Sequence, residues 1–422
     1  MKPQSIAIIG GGHAGDELIG LLREHDFEGD IVLFDGSPHG PYERPPLSKG
    51  FLKGDVSEES LSTRAPAFYD RVGVQLRRGV TVESVAVGEQ SVRIVPDQGP
   101  ALEVDAIVVA TGMAPRRLDV PGSSIAGIHY LQSLDDAVSL RDSLPDAASV
   151  VVVGGGFIGS ESASAMRQRG LSVTLVESGP RLMKRAVSES VSRAFQRQHE
   201  AASVRLVLNS GVASVRSEGG RVVGVETIDG EEIRADLIVA AIGVLPRTEF
   251  LNHTHVVLRD GFVVVDEEGR SSHPRVFAAG DVALFPNPRG IEQRTPIPSV
   301  DNASWSANTV VRGLLGTSAP EKRPAPTFWT EQYGLRVQIA GLIDPHDESV
   351  IRGNEQESSF SVLHYFAGQL VAIEAVAAQA DYQAVRRAIS AGFTIPPEVA
   401  AAPDVDLSDF VASGVQGSQP GK

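Results

Sequence analysis

Two glycine-rich turns hold most of the chemistry that can be read in this sequence. The first, in "IAIIGGGHAGDELIGLLR", reads Gly10-x-Gly12-x-x-Gly15, and the second, in "VVVVGGGFIGSESASAMRQRG", reads Gly154-x-Gly156-x-x-Gly159. Each follows a β-branched apolar run and opens an amphipathic stretch. Each is followed, roughly 20 residues on, by an acid at the end of the next strand: Asp35 and Glu177. A turn without Cβ lets backbone approach a pyrophosphate, and the helix behind it supplies N–H donors and a favourable dipole. The acid accepts ribose hydroxyls and repels a 2′-phosphate, so Glu177 favours NADH over NADPH. Arg181 and Arg185 lie just beyond and oppose that preference; Arg181 reads equally well as a solvated helix residue. Two such sites in one chain point to two dinucleotides, most economically FAD and NADH. Plain strand–turn–helix connections are the alternative.

Other candidates cluster around this frame. Asp281, after "VFAAG", suits the polyol hydroxyls of a ribityl chain. Lys49 lies in "GPYERPPLSKGFLKG", a loop stiffened by Pro45 and Pro46, where Ser48 is placed to cap a short helix. A cation beside an isoalloxazine favours its reduced, anionic form. Glu161 stands two residues past Gly159, in the first turn of the second fingerprint helix. A Lys49–Glu161 pair at the reacting atoms is the expectation; a surface lysine and a helix-start glutamate are the alternative.

A duplicated framework must position these residues. A strand over 5–9, a helix over 13–25 and a strand ending at Phe34 form the first unit. "VTVESVAV", "SVRIVPD" and "ALEV" alternate like a small antiparallel sheet, and "AIVVATG" ends in a turn at Gly112. Residues 118–243 repeat the plan and close with "LIVAAIG". The chain then returns to its first domain through "RVFAAGDVALF" and the helix "NASWSANTVVRGLLG". A smaller third domain follows "PEKRPAP", read as four strands and a helix up to about Ala391. The expected fold is α/β: two Rossmann-like dinucleotide-binding domains, 1–117 with 244–322 for FAD and 118–243 for NAD, plus a C-terminal α+β domain, 323–412. The end, 413–422, reads as a flexible tail.

Composition narrows the function. The 422 residues include no cysteine, which excludes disulfides, thiolate metal sites and Cys-ligated iron–sulfur clusters. A flavin here has no redox disulfide to receive its electrons. No metal site is expected, since His253-x-His255 lacks a third ligand. The net charge of −15 argues against nucleic acid and anionic membranes as partners. The absence of a bilayer-length apolar run and of room for a leader before the first strand makes a cytoplasmic location the expectation.

The segments "GPYERPPLSKGFL", "ATGMAPR", "VVGGGFIGSE", "VESGPRLMKRAVS", "AIGVLPRTEF", "VFAAGDVALF", "FWTEQYGLRVQIAGL" and "SFSVLHYFAGQLVAIEAV" run in order from Ile6 to about Phe410. Together they resemble the FAD-dependent ferredoxin reductases of bacterial oxygenase systems, both dioxygenase reductase components and the putidaredoxin-reductase type that serves cytochromes P450. The resemblance implies a glutathione-reductase-like fold, non-covalent FAD and NADH as substrate. It implies a ferredoxin–NAD(+) reductase that passes electrons singly to a 2Fe-2S ferredoxin, and so to a terminal oxygenase, as a monomer or homodimer. Around FAD it places Gly10, Gly12, His13, Ala14, Gly15, Asp35, Arg44, Lys49, Val82, Ala110, Thr111, Gly112, Gln132, Gly280, Asp281, Ser299, Val300 and Trp329. Around NADH it places Gly154, Gly156, Phe157, Ile158, Gly159, Glu161, Glu177, Arg185, Ile242 and Gly243. Lys49, Glu161 and Trp329 take the catalytic roles.

The chain departs from that pattern at three points. Gln132 stands where many relatives have an arginine reaching the flavin pyrophosphate, Pro298-Ser299 replaces a Glu-Ser/Thr pair, and Pro296 replaces an arginine associated with ferredoxin docking. A basic patch of Arg64, Arg289, Arg294 and Arg323 is the substitute expectation for docking. The alternatives are a reductase of rubredoxin or monodehydroascorbate, and a non-turnover FAD/NADH-binding sensor like apoptosis-inducing-factor relatives. NADH oxidases and peroxidases of this type use a cysteine that is missing here.

Overall fold

A computed structural model describes residues 3–65, 67–317 and 323–417. They divide into two units, one drawn from 1–44, 58–114 and 244–324, the other from 45–57, 115–243 and 325–422.

The first unit is organised by strand Ser5–Ile9, whose apolar run is buried on both faces. Such a run belongs in the middle of a parallel sheet covered on both sides. The sheet order is Val276–Ala278, Ala106–Val109, Ser5–Ile9, Asp30–Asp35, Val74–Arg78, and every pairing is parallel. The late strand Val276–Ala278 returns to this sheet, as the sequence predicts. Helices His13–Glu24 and Val300–Leu315 cover one face, packing Leu18, Ile19 and Leu22 with Ala307, Val310 and Leu314. The antiparallel strands Val82–Val87, Val92–Pro96 and Leu102–Val104 cover the other, through Val82, Val85, Val92 and Ile94.

The second unit repeats the arrangement around Ser149–Val153, in the order Arg205–Leu208, Ser172–Glu177, Ser149–Val153, Leu237–Ala240, Ile128–Tyr130, again all parallel. It also holds an antiparallel sheet of five strands, ordered Thr327–Gln332, Leu335–Gly341, Gln369–Val376, Phe360–Phe366, Glu348–Gly353. The sequence pattern shows four of these. The fifth, Glu348–Gly353, is a mostly exposed edge strand, and half-solvated edges carry a weak apolar signal.

Two further expectations change. Residues 413–417 belong to a helix, Leu407–Gly417, that buries Leu407 and Val411 against the core of the five-stranded antiparallel sheet, so no flexible tail begins at 413. Residues 418–422 lie outside the described residues. The proline-braced segment 45–57, assigned by sequence to the first domain, groups with the second unit. It buries Phe51 and Leu52, and the Leu52 carbonyl accepts from Arg169 Nη1 at 2.9 Å. Among the described residues, no helix is long and apolar enough to cross a membrane.

Candidate active site

Both fingerprint turns require glycine for the same steric reason. A Cβ on Gly15 would overlap the Gly10 carbonyl oxygen, and one on Gly159 would overlap that of Gly154. Gly10 and Gly154 hold positive φ, +115° and +100°, where a side chain is strained. Gly12 and Gly156 cap the two helices in nearly identical extended conformations, without a side-chain capping bond. Nothing lies within 4 Å of a Cβ built on Gly156. The helix N-termini are therefore left open for an anion.

In the first unit Asp35 is buried, its Oδ1 accepting from Ser37 N–H at 3.0 Å while Oδ2 has no partner. Burial raises its pKa, opposed by the Ser37 bond and by Arg44 and Arg78. The Asp281 carboxyl is pushed up to about 6 by burial, with Arg44 again pulling down. Gly280, just before Asp281, holds φ +73°, donates its N–H to Ser306 Oγ at 2.8 Å and packs so closely on Ala14 that a Cβ there would lie 3.0 Å from the Ala14 Cβ. His13 Nε2 meets Ser304 Oγ at 3.3 Å, and Thr111 Oγ1 donates to the Arg247 carbonyl at 2.6 Å. An orphaned carboxylate oxygen, a second acid with a raised pKa and a Cβ-free cradle together fit the polyol and pyrophosphate of FAD.

In the second unit Glu177 is already satisfied. Its Oε2 accepts from Gly155 N–H and its Oε1 from Gly179 N–H, each at 2.6 Å. Arg181 is turned away from it. Its guanidinium donates to the carbonyls of Val187 and Ser188 at 2.9 and 3.3 Å and of Lys184 at 3.1 Å, and burial lowers its pKa. It is a loop clamp, neither the solvated residue nor the opposing cation of the sequence reading. Arg185 is exposed and Ile158 is 38% exposed beside the open turn.

Lys49 and Glu161 meet within this unit. Lys49 Nζ lies 2.7 Å from Glu161 Oε2, 3.2 Å from the Pro45 carbonyl and 4.6 Å from the Trp329 ring centre. The ammonium is thus set over the face of an indole that is 40% exposed, with Arg336 5.4 Å from the same ring. Glu161 is the fifth residue of helix Phe157–Gln168, just past the expected first turn, and is buried. Ser48 does not cap the helix Gly50–Lys53; its hydroxyl donates to Glu161 Oε2 at 2.5 Å. Thr330 completes the shell, donating to Oε1 at 2.7 Å.

Within the second unit this geometry sets a balanced charge pair and an exposed indole on the helix that follows the second glycine turn. Residues 4–307 match the pyridine nucleotide-disulphide oxidoreductase family. The chain belongs to that family. Residues 327–411 match the reductase C-terminal family. The chain is 38% identical to rhodocoxin reductase of Rhodococcus erythropolis over 97% of its own length and 94% of the relative's. It is 35% identical to the ferredoxin–NAD(+) reductase component of the p-cumate 2,3-dioxygenase system of Pseudomonas putida, covering 96% of this chain and 98% of that one. The ferredoxin reductase for the CYP199A2 system of Rhodopseudomonas palustris superposes with TM-score 0.92 at 35% identity, covering 97% of this chain and all of that one.

Two of the points of departure lie at helix starts. Gln132 directly precedes a capping box in which Ser133 and Asp136 bond reciprocally at the start of helix Leu134–Ser143. Ser299 caps Val300–Leu315, accepting from Asn302 N–H at 3.2 Å. The arginines of the expected patch are half-buried and already engaged within the fold. Arg294 donates to the carbonyls of Val265 and Leu284, and Arg323 stacks 4.1 Å from the Trp305 ring centre, its pKa lowered to about 10 by burial. Arg64 pairs with Asp16 at 3.1 Å, and the buried Nε of Arg289 faces inward. Composition shows how many arginines a chain has, but their long stems bury in ways only the tertiary structure decides.

Proposed function

We propose that the protein is an NADH-dependent, FAD-containing ferredoxin–NAD(+) reductase supplying electrons to an oxygenase. Its family membership, its full-length similarity to reductases of a dioxygenase system and a P450 system, and the Lys49–Glu161–Trp329 assembly support this. The assembly is the observation that carries it. The total lack of cysteine removes the dithiol route, so electrons must leave the flavin directly. When bound, FAD would supply the conversion of a two-electron hydride donor into a one-electron donor.

The chain's own residues perform defined tasks in this reading. The turns at Gly12 and Gly156 receive the two pyrophosphates. Asp35 and Asp281 accept hydroxyls of the flavin nucleotide, while Arg44 moderates their charge. Glu177, with Arg181 committed to loop carbonyls, selects a 2′-hydroxyl and hence NADH. Lys49 supplies the positive charge for the reduced flavin, and Glu161 balances it when the flavin is oxidised. Trp329, gripped by Lys49 and Arg336, lies on the electron exit. The partner is a 2Fe-2S ferredoxin, the location is cytoplasmic, and the active form is a monomer or homodimer.

Stopped-flow bleaching of the flavin by NADH tests the assignment. Lys49→Met should slow bleaching roughly a hundredfold, in the range of a lost electrostatic stabiliser. Adding Glu161→Gln should recover part of that loss, because it removes the carboxylate left unpaired in a buried site. Losses that simply multiply, or an unaffected Lys49→Met, overturn the pair's role. Cytochrome c reduction that needs added ferredoxin supports the reductase; equal turnover with rubredoxin, or no turnover with either, overturns the ferredoxin assignment.

A further inference from the structure

The Glu161 carboxylate is the end of a hydrogen-bond chain that the reaction scheme does not use. Thr330 Oγ1, which donates to Glu161 Oε1 at 2.7 Å, accepts from Gln332 Nε2 at 3.2 Å. Gln332 Oε1 meets His199 Nε2 at 2.8 Å, and His199 Nδ1 meets the Tyr333 hydroxyl at 3.1 Å, with the two rings edge to face. Thr330, Gln332 and His199 are all buried, while Tyr333 is half-buried. Thr330 and Gln332 sit at i and i+2 of strand Thr327–Gln332 and so share a face. His199 reaches them from helix Glu189–Ala201.

The direction of each bond follows from the donors available. Glu161 accepts from Lys49 and Ser48 on Oε2, which suits a carboxylate. A carboxylate requires the Thr330 hydroxyl to point toward it. Thr330 then offers Gln332 only a lone pair, so the amide NH2 faces Thr330 and the amide oxygen faces His199. The imidazole must therefore carry its proton on Nε2 and accept the Tyr333 O–H on Nδ1. Burial holds the imidazole neutral by lowering its pKa to about 4, and burial raises that of the Tyr333 hydroxyl to about 12. Every donor points toward Glu161. Reversing the chain turns the Thr330 hydroxyl away and leaves two lone pairs facing each other unless Glu161 is protonated.

We propose that Thr330, Gln332, His199 and Tyr333 form a one-way positioning chain that keeps an O–H donor on Glu161 Oε1 and aligns the carboxylate with Lys49. The inference rests on the reading that Glu161 and Lys49 flank the hydride-transfer face. The chain is not a proton relay. An amide donates and accepts through different atoms, and passing a proton through Gln332 would require an imidic acid. Strand Thr327–Gln332 thereby orients a carboxylate on the second fingerprint helix.

The His199 tautomer tests the chain without any turnover. In FAD-loaded protein carrying 15N-labelled histidine, long-range proton–nitrogen spectra distinguish the ring nitrogens, and loss of one spin system in His199→Phe assigns the signal among the ten histidines. A neutral Nε2–H ring from pH 8 to pH 5.5 is expected. An Nδ1–H ring, or an imidazolium within that range, overturns the proposal. A second arm reads the consequence: Thr330→Val should lower the limiting rate of flavin bleaching roughly tenfold, as for a lost bond to a charged group, with NADH binding nearly unchanged. Thr330→Ser, which keeps the hydroxyl, should restore it. Equal rates in Thr330→Val and wild type overturn the positioning role even if the tautomer is as expected. If wild type is not bleached by NADH, the functional reading fails, and the tautomer alone still decides whether the chain exists.

Discussion

The two fingerprint turns match in backbone and differ in how they treat their acids. Gly12 and Gly156 cap their helices with φ and ψ within a degree of each other. Yet Asp35 leaves one carboxylate oxygen buried and unpartnered, whereas Glu177 has a backbone N–H on each oxygen. An unpaired buried acceptor costs about 1–3 kcal/mol, recovered only when a ligand supplies the donor. The first site is therefore incomplete by itself, as suits a cofactor that stays bound. The second is stable without a ligand, as suits a substrate that enters and leaves each cycle. On the proposed function, matching turns would serve residence in one case and exchange in the other, with the acid's hydrogen bonds as the structural difference.

Removing ligands should give the largest contrast. Protein stripped of FAD should lose several kcal/mol of stability, since binding contributes RT ln(1 + [L]/Kd), about 4 kcal/mol when ligand exceeds Kd a thousandfold. Thermal unfolding should show this as a large fall in Tm, restored by FAD. Saturating NAD+ added to the FAD-loaded protein should shift Tm by far less. Comparable shifts from the two ligands would break the distinction between a resident and an exchanging nucleotide.

Substitutions at the acids should sharpen it at a smaller scale. Glu177→Gln places an amide NH2 against either Gly155 N–H or Gly179 N–H, so ligand-free stability should fall by about 1–3 kcal/mol. Asp35→Asn removes a desolvated charge and keeps an acceptor for Ser37, so ligand-free stability should hold or rise while FAD retention weakens. Denaturant midpoints of the two ligand-free variants test this directly. A larger loss at Asp35 than at Glu177 would reverse the comparison. In kinetics, Glu177→Ala should narrow the NADH-to-NADPH ratio of kcat/KM.

Much of this was visible in the sequence, and the boundary has a physical cause. The glycine turns, their strands and the distal acids are local features with fixed spacing, so periodicity and turn chemistry reveal them. The Lys49–Glu161 contact was also legible, because few elements bring a lysine near the second helix. What remained hidden depends on tertiary choices. Ser48 looks like a cap, and only packing shows that its hydroxyl turns to Glu161. Thr330 and Gln332 alternate in "FWTEQY" in a way that shows a shared face, but nothing local says that the face meets a carboxylate and a histidine. Arg181, Arg294 and Arg323 looked like surface charge and instead tie down loop carbonyls or stack on indole. The difference between Asp35 and Glu177 has no sequence signal, since both acids end a strand after the same turn.

The smallest expected effect is a pH dependence confined to the first site. Asp281 has its pKa raised to about 6 from an ordinary 3.8, and Asp35 is shifted in the same direction, both chiefly by burial. A carboxyl raised in the folded state binds its proton more tightly there than in the unfolded chain. Its contribution to ligand-free stability is therefore complete below about pH 4 and lost as the pH rises through about 6. FAD reverses the preference, because ribose and ribityl hydroxyls donate to carboxylates and bind the ionised forms. Lowering the pH from 7.5 to 5 should thus stabilise the stripped protein in this window while loosening the flavin. Gel filtration at the two pH values, followed by flavin absorbance of the protein peak, should show more free FAD at pH 5. Asp281→Asn should flatten that response, and Glu177→Gln should leave it intact. A flavin loss that ignores pH, or one abolished by the change at Glu177, would mean that the buried acids of the first turn are not what holds the cofactor.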